Sequence, residues 1–483
     1  MGAVTKLRTA LVAAALLVPI AGHGQCVPAI RQVSSLGLSP NRVAGPIASN
    51  GSVVALAKLD NTNSTRAIYV SMYDELTLSP ATSDRLVTES SLGGPLFMLW
   101  NGSEFGLFYQ RNDYNVMLQR ISTSGELIGA PLLLFPGEAW PNQELDVVYD
   151  PFRGAYVAVR TVPQGFTTGL WLSVIRADGT LSHNSQLSPF IGVPVSTPRL
   201  AITPTGLVGV TWVMTNSSID ALHFIAVSPA NVVDISTFGP ISLNGRRQLI
   251  ATNGTQFLVL VRRETSIGEG DIRSIRIGLN GRVTQAETLF LTPRGLDLVG
   301  RELVWNPTLH EWALAYVDYG SSAQTGYAET RLLRFTEDGR ANSDSYFVPD
   351  LSPQFPVQLV SDMHWTGSGY LASGTVQTSP VSTSTIQRHC PLLVTIQPIA
   401  RNVIIGTTTT FTALVNGGVP GFSYSWDFGD FSEIKLGEVV THRFQRTGTY
   451  TVRLTATDAA GSRNQTSYTV NVVLPKRRPS RSQ

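Results

Sequence analysis

Several residue classes are scarce in this chain of 483 residues, and each scarcity excludes something. Lysine occurs only at Lys6, Lys58, Lys435 and Lys476, which leaves few amines for Schiff-base or Ser–Lys chemistry. Charged residues make up 14% and apolar residues 42%, a balance unlike that of a disordered, solvating chain. The net charge of +2 gives no global reason to bind nucleic acid or an anionic membrane. There is no His-Glu-x-x-His: His310-Glu311 is followed by Trp312-Ala313 and lacks the second histidine. Gly-x-Ser-x-Gly elbows, Walker loops and EF-hand calcium loops are also missing. The seven histidines are scattered without metal-ligand spacing, so no cofactor and no metal is expected.

Long apolar runs are confined to the N-terminus. Lys6 and Arg8 precede an apolar stretch, Thr9–Ile20, too short to span a bilayer comfortably. Gly22 and Gly24 are small residues at the −3 and −1 positions of a cut before Gln25. Residues 1–24 therefore read as a secretory signal peptide, with an uncleaved anchor as the alternative. A lipoprotein would acylate Cys26, but Gln25 is a poor residue directly before such a site. Without a later membrane span, the expected location is secreted, periplasmic or at the cell surface.

A short motif returns seven times. An Asn, Asp, Thr or Gly turn leads into an aromatic or branched residue and then small apolar ones. The copies begin at Val54, Phe105, Tyr156, Leu207, Phe257, Trp312 and Tyr370, in steps of 51, 51, 51, 50, 55 and 58 residues. Repeats of that length built from strands mark propeller blades. The second copy divides into four strands: 96–100, 105–110, 116–122 and 127–135. Ser124-Gly125, Asp178-Gly179, Asn280-Gly281 and Asp338-Gly339 supply tight hairpins between third and fourth strands. Alternation in the third strands, as in Leu332-Leu333-Arg334-Phe335, predicts one packed and one wet face. An array of β-sandwiches is the competing architecture, but its modules would need about 100 residues each.

The seventh repeat lacks a fourth strand before Pro391, and the strand-like segment 26–33 has no blade of its own. We expect that segment to complete the seventh blade, closing a seven-bladed β-propeller over residues 26–390. The join would bring Cys26 beside Cys390, the chain's two cysteines, as a disulfide in an exported protein.

From Leu393 to Val473 the repeats stop and Thr, Val and Gly dominate. Tyr424-Ser425-Trp426-Asp427-Phe428-Gly429-Asp430 is followed by His442-Arg443-Phe444, Gly448-Thr449-Tyr450-Thr451-Val452 and Leu454-Thr455-Ala456-Thr457-Asp458. On these residues the segment resembles a PKD domain, an immunoglobulin-like β-sandwich. The family pattern usually has Gly after the second Asp, where this chain has Phe431. The resemblance implies a non-catalytic adhesion, spacer or substrate-binding module. In the motif, Trp426 and Phe428 read as core residues, Gly429 as a positive-φ turn residue, and Asp427 and Asp430 as turn caps rather than metal ligands. Lys476-Arg477-Arg478-Pro479-Ser480-Arg481 lies in a short basic tail, residues 474–483.

Among the aromatics, Trp100, Trp305 and Trp365 share one place before the repeat turn, where Tyr149 stands in the third copy. Such equivalence points to packing of the ring. Trp140, between the second and third blades, is the better ligand-binding candidate. The resulting expectation is an all-β, monomeric, exported interaction or adhesion protein. It would bind an extracellular glycan or protein through propeller loops and the PKD-like module. The alternative is a secreted polysaccharide hydrolase or lyase with carboxylates and arginines at the propeller mouth, and its glycosidase version requires a carboxylate pair about 5–9.5 Å apart in the funnel.

Overall fold

The computed structural model describes residues 29–475, apart from 33–41, 61–65, 92–96, 138–143, 165–166, 188–194, 217–218, 231–232, 237–241, 244, 267–268, 292–295, 298–302, 319–328, 340, 347–356, 368, 379–380, 398, 400, 460 and 462. The described elements are all strands. Seven antiparallel sheets of four or five strands follow one another along the chain, and we number them as blades 1 to 7. Their first strands are Arg42–Ser49, Phe97–Trp100, Leu145–Asp150, Val195–Ile202, Gly245–Thr252, Leu303–Asn306 and Val357–Trp365. In blade 6 the two-residue strand Leu296–Asp297 extends the same inner edge.

Each first strand contacts the first strands of the blades before and after it, and the first strand of blade 7 contacts that of blade 1. They form the inner wall of a closed ring. In blade 7 the order is Val357–Trp365, Tyr370–Thr378, Val381–His389 and then Ala29–Gln32. Ala29–Gln32 pairs antiparallel with the third strand, Ala29 standing opposite Arg388. The chain's first described strand is thus the outer strand of its last blade, covering an edge that would otherwise be open to pairing.

The second strands carry most of the core because both of their faces meet neighbouring blades. Phe105–Gln110 is buried at every residue. Side chains from consecutive blades merge into shared clusters, such as Val157, Val159 and Leu172 of blade 3 with Val210 and Trp212 of blade 4. The Gly residues of the third hairpins, Gly125, Gly179, Gly281 and Gly339, have φ between 70° and 86°, a region open to glycine without steric cost.

The expectation of a wet face on the third strands is corrected by blade 6. Leu332, Leu333, Arg334 and Phe335 are all buried. Arg334 lies inside because Glu311 of the adjacent strand takes its charge.

Residues 393–473 form two further sheets. One contains Leu393–Ile396, Thr409–Asn416 and Val439–His442, and the other is centred on Ser423–Asp427, Gly448–Thr457 and Arg463–Val473. Their facing sides enclose Phe411, Trp426, Phe428, Phe444, Val452, Leu454 and Val470. Alternate residues of Gly448–Thr457 enter this core, as period-two side-chain geometry requires.

Candidate functional site in the propeller ring

The inner strands of blades 3 to 7 surround a cavity of about 580 Å³. Its wall is largely apolar, with Val148, Leu249, Ile250 and Val304 along the strands and Tyr149 and Trp305 near their ends. Polar groups are few: Asp146, Arg199, His364 and the phenol of Tyr149 are the ionisable side chains among the described lining residues. An apolar cleft with a few convergent polar groups is the usual form of a small-ligand site.

Asp146 is occupied structurally. Its Oδ2 accepts the Leu200 N–H at 2.9 Å, joining blade 3 to blade 4, and its Oδ1 accepts the Val147 N–H at 3.1 Å. Asp362 repeats the device at the ring closure, accepting the Ile47 N–H of blade 1 at 3.3 Å. His364 Nε2 stands 3.1 Å from Asp362 Oδ2.

Arg199 is positioned by a distortion of its strand. The pairing register shifts between Ser196 and Arg199. Thr197, inside the shift and directly before Pro198, has φ = 47°. A β-branched residue in the left-handed region is strained by about 1–3 kcal/mol and persists only where its surroundings over-determine it. Here both neighbouring blades hold it. The Thr197 N–H donates to Glu144 Oε2 of blade 3, and Gln248 Nε2 of blade 5 donates to the Thr197 carbonyl. Thr197 Oγ1 also donates to Gln248 Oε1 at 3.3 Å. The bulge delivers Arg199 to the cavity wall, where Nη1 donates to the Pro198 carbonyl at 2.9 Å.

The equivalent aromatics pack against the second strand of their own blade. Trp100 meets Phe105 at 4.8 Å between ring centroids, Tyr149 meets Tyr156 at 5.5 Å, Trp305 meets Trp312 at 4.8 Å and Trp365 meets Tyr370 at 5.0 Å. Each pair is directly opposite in strand register. Tyr149 and Trp305 combine this role with lining the cavity. Trp140, the ligand-binding candidate of the sequence, lies outside the described residues, as does Cys26. Cys390 is buried.

A polar seam between blades escaped the sequence reading. Arg334 donates Nε and Nη2 to the two oxygens of Glu311 at 2.7 and 3.0 Å. Tyr370 of blade 7 donates its hydroxyl to Glu311 at 3.0 Å and accepts from Asn306 Nδ2 at 3.1 Å. Burial, and then the adjacent Glu311 carboxylate, push the Tyr370 phenol well above its usual range. Blade 2 repeats the pair, with Arg120 on Glu104 at 2.6 and 2.9 Å, and Tyr156 of blade 3 set beside it. Arg120, Arg276, Arg334 and Arg388 occupy one register position, opposite Gly106, Leu258, Ala313 and Leu371. That recurrence was available from aligning the repeats.

In the C-terminal sandwich, Trp426 and Phe428 are buried in the core. Asp427 Oδ1 accepts the Gly429 N–H at 2.9 Å, and Asp430 Oδ1 accepts the Ser432 N–H at 3.2 Å. Gly429 has φ = 72°, and a Cβ there would stand 2.7 Å from the Thr451 carbonyl oxygen. His442 stacks on Phe428 at 3.9 Å and bonds Asp430 at 2.8 Å. Burial works to raise the Asp430 carboxyl, but hydrogen bonds from Ser432 and His442 outweigh it and hold it below its usual range. Phe431, in the usual glycine place, has φ = 63° and is fully exposed, with Ile434, Leu436 and Val439 exposed nearby.

Among the described residues, no group of three His, Cys, Asp or Glu is arranged to hold a metal ion. No helix among them is long and apolar enough to cross a membrane.

Residues 395–473 match the family described as PKD domain. No curated protein matches the chain. Among solved structures, the β-propeller domain of the Trilobed protease from Pyrococcus furiosus is 6% identical, with a TM-score of 0.46, over 72% of this chain and 95% of that one. The polysaccharide lyase Uly1 is 8% identical, with a TM-score of 0.49, over 73% and 91%. Prolyl oligopeptidase B from Galerina marginata is 11% identical, with a TM-score of 0.41, over 70% of this chain and 47% of that one. These likenesses are distant, and the propeller architecture rests on the sheet order and the ring of inner strands. The chain is an all-β protein in which a β-propeller precedes a PKD domain.

Proposed function

We propose that the protein is an exported, non-catalytic interaction or adhesion protein. It binds a glycan or another protein through its propeller, and the PKD domain serves as an adhesion or spacing unit. The observation that carries this reading is the cavity: mostly apolar walls, one arginine delivered by a strained bulge, and one carboxylate, Asp146, already holding two backbone N–H groups. A polysaccharide hydrolase of the two-carboxylate type needs a second such group across the funnel. Asp146 is the one carboxylate among the described lining residues.

Export through residues 1–24, a Cys26–Cys390 disulfide, a monomeric state and domain limits of 26–390 and 393–473 belong to the same proposal. What supports the disulfide is the register of the outer strand. Ala29, three residues after Cys26 in the sequence, stands opposite Arg388, two residues before Cys390. No described cysteine is a free thiol.

The test is a binding screen of the full chain against arrays of glycans and extracellular proteins, repeated with Trp305→Ala. A ligand retained by the parent chain and lost by the variant supports the reading. Failure to retain any ligand refutes it. Polysaccharide cleavage that disappears in Asp146→Asn would replace it with the enzymatic reading.

A further inference from the structure

We propose that the ring cavity takes the C-terminal carboxylate of a peptide whose last side chain is apolar. This rests on the reading of the cavity as the binding site and names the chemistry of its ligand. Arg199 provides the anchor. Its one described hydrogen bond runs to the neighbouring Pro198 carbonyl, and no described carboxylate pairs with it. A guanidinium facing an apolar cavity has N–H donors to spare, and a carboxylate matches them two at a time. Asp146, the negative group nearby in the wall, is turned to the backbone of Val147 and Leu200.

The placement of Arg199 is built rather than incidental. A regular strand would carry Ser196–Arg199 in unbroken register, whereas the bulge re-aims the residues after it. The strained Thr197 at its centre is gripped by Glu144 on one side and Gln248 on the other. Two blades therefore fix the backbone from which this side chain projects.

The walls select the rest of the ligand. Val148, Leu249, Ile250 and Trp305 offer apolar surface but few hydrogen-bond partners. A sugar placed there would leave hydroxyls unpaired, at a cost that an apolar side chain avoids. Inner strands of five of the seven blades enclose the space, which admits a chain end more readily than a continuous strand. Capture of a terminal carboxylate is an established mode of peptide recognition.

Titration calorimetry on the full chain tests the proposal with four probes: N-acetyl-Ala-Ala-Phe as the free acid, the same peptide as its C-terminal amide, glucuronic acid and octanoate. The free acid should bind at least about tenfold more tightly than the amide, the scale of one charge-assisted pair. Arg199→Gln should abolish that preference with an unchanged melting midpoint, and Arg199→Lys should restore part of it. Equal binding of acid and amide, no binding of the acid, or a preference that survives Arg199→Gln would overturn the proposal. Arg199-dependent binding of glucuronic acid or octanoate in place of the peptide would overturn the peptide assignment and leave the cavity reading intact. Failure of every ligand in the array screen would remove both.

Discussion

Replacing Glu311 by alanine should destabilise the propeller far more than breaking any surface ion pair. Glu311 and Arg334 are 2% and 1% exposed in their side chains and meet through two hydrogen bonds. Tyr370 adds a third bond to the same carboxylate from the next blade. Arg334 Nη1 has no partner among the described residues, so the guanidinium depends on Glu311 for its neutralisation. Removing one partner of a buried pair leaves an uncompensated charge and costs about 3–5 kcal/mol. For some 360 residues unfolding together, the unfolding entropy near the midpoint converts 4 kcal/mol into a fall of about 5 °C in melting temperature. Calorimetry measures that shift, and Trp305 and Trp312, with ring centroids 4.8 Å apart in the same blade, give a fluorescence signal local to it. Arg85 and Glu126, at 44% and 60% exposure, form the control: Glu126→Ala should cost no more than about 1 kcal/mol. The double variant Glu311→Leu/Arg334→Met should recover most of the loss, because the desolvation penalty leaves with the charges. If Glu311→Ala costs less than about 1 kcal/mol, or if the double variant is worse than the single one, the seam does not work as described.

Burial lowers the His389 imidazole to about 3, with nearby Arg334 acting in the same direction. A histidine depressed in the folded state contributes full stability above its unfolded value near 6.5. It loses that stability as pH falls towards 3, by up to about 1.4 kcal/mol per pH unit; urea midpoints from pH 8 to 4 should show this slope, and His389→Gln should flatten it. Phe431→Gly should stabilise the PKD domain by up to about 1 kcal/mol, since it relieves a left-handed backbone and surrenders no buried contact. A lower midpoint for this variant in thermal melts would show that Phe431 packs on something. Non-reducing peptide mapping of the exported chain should recover Cys26 and Cys390 as one linked peptide. Its reduction should remove at most about 6 kcal/mol, the loop-entropy ceiling for so long a loop, and recovery of both as free thiols would remove the staple from the proposal.

Much of the fold was legible in the linear chain because its determinants are local. Seven copies of a turn followed by an apolar strand announce seven sheets, and Gly179, Gly281 and Gly339, each after Asp or Asn, mark where three of the third hairpins turn. The run Trp426–Asp430 is similarly self-contained. Two aromatics alternate into the core, while Asp427 and Asp430 bond backbone two residues onward. The ring seams were not legible in the same way. Leu332-Leu333-Arg334-Phe335 looks like a half-wet strand until Glu311 and Tyr370 arrive from other strands to neutralise and cover the arginine. Arg199 looks like any surface charge because its distinction lies in a backbone bulge held by Glu144 and Gln248, some fifty residues away on either side.

By itself, then, the sequence determined what period, turn chemistry and strand patterning control: an all-β chain, repeated sheets and a PKD domain. Only the tertiary structure decided which charges are buried, which side chains meet across blades, and where the ring leaves a cavity with an arginine on its wall. Those properties depend on closure, which brings residues from distant repeats within hydrogen-bonding distance and withdraws them from water together.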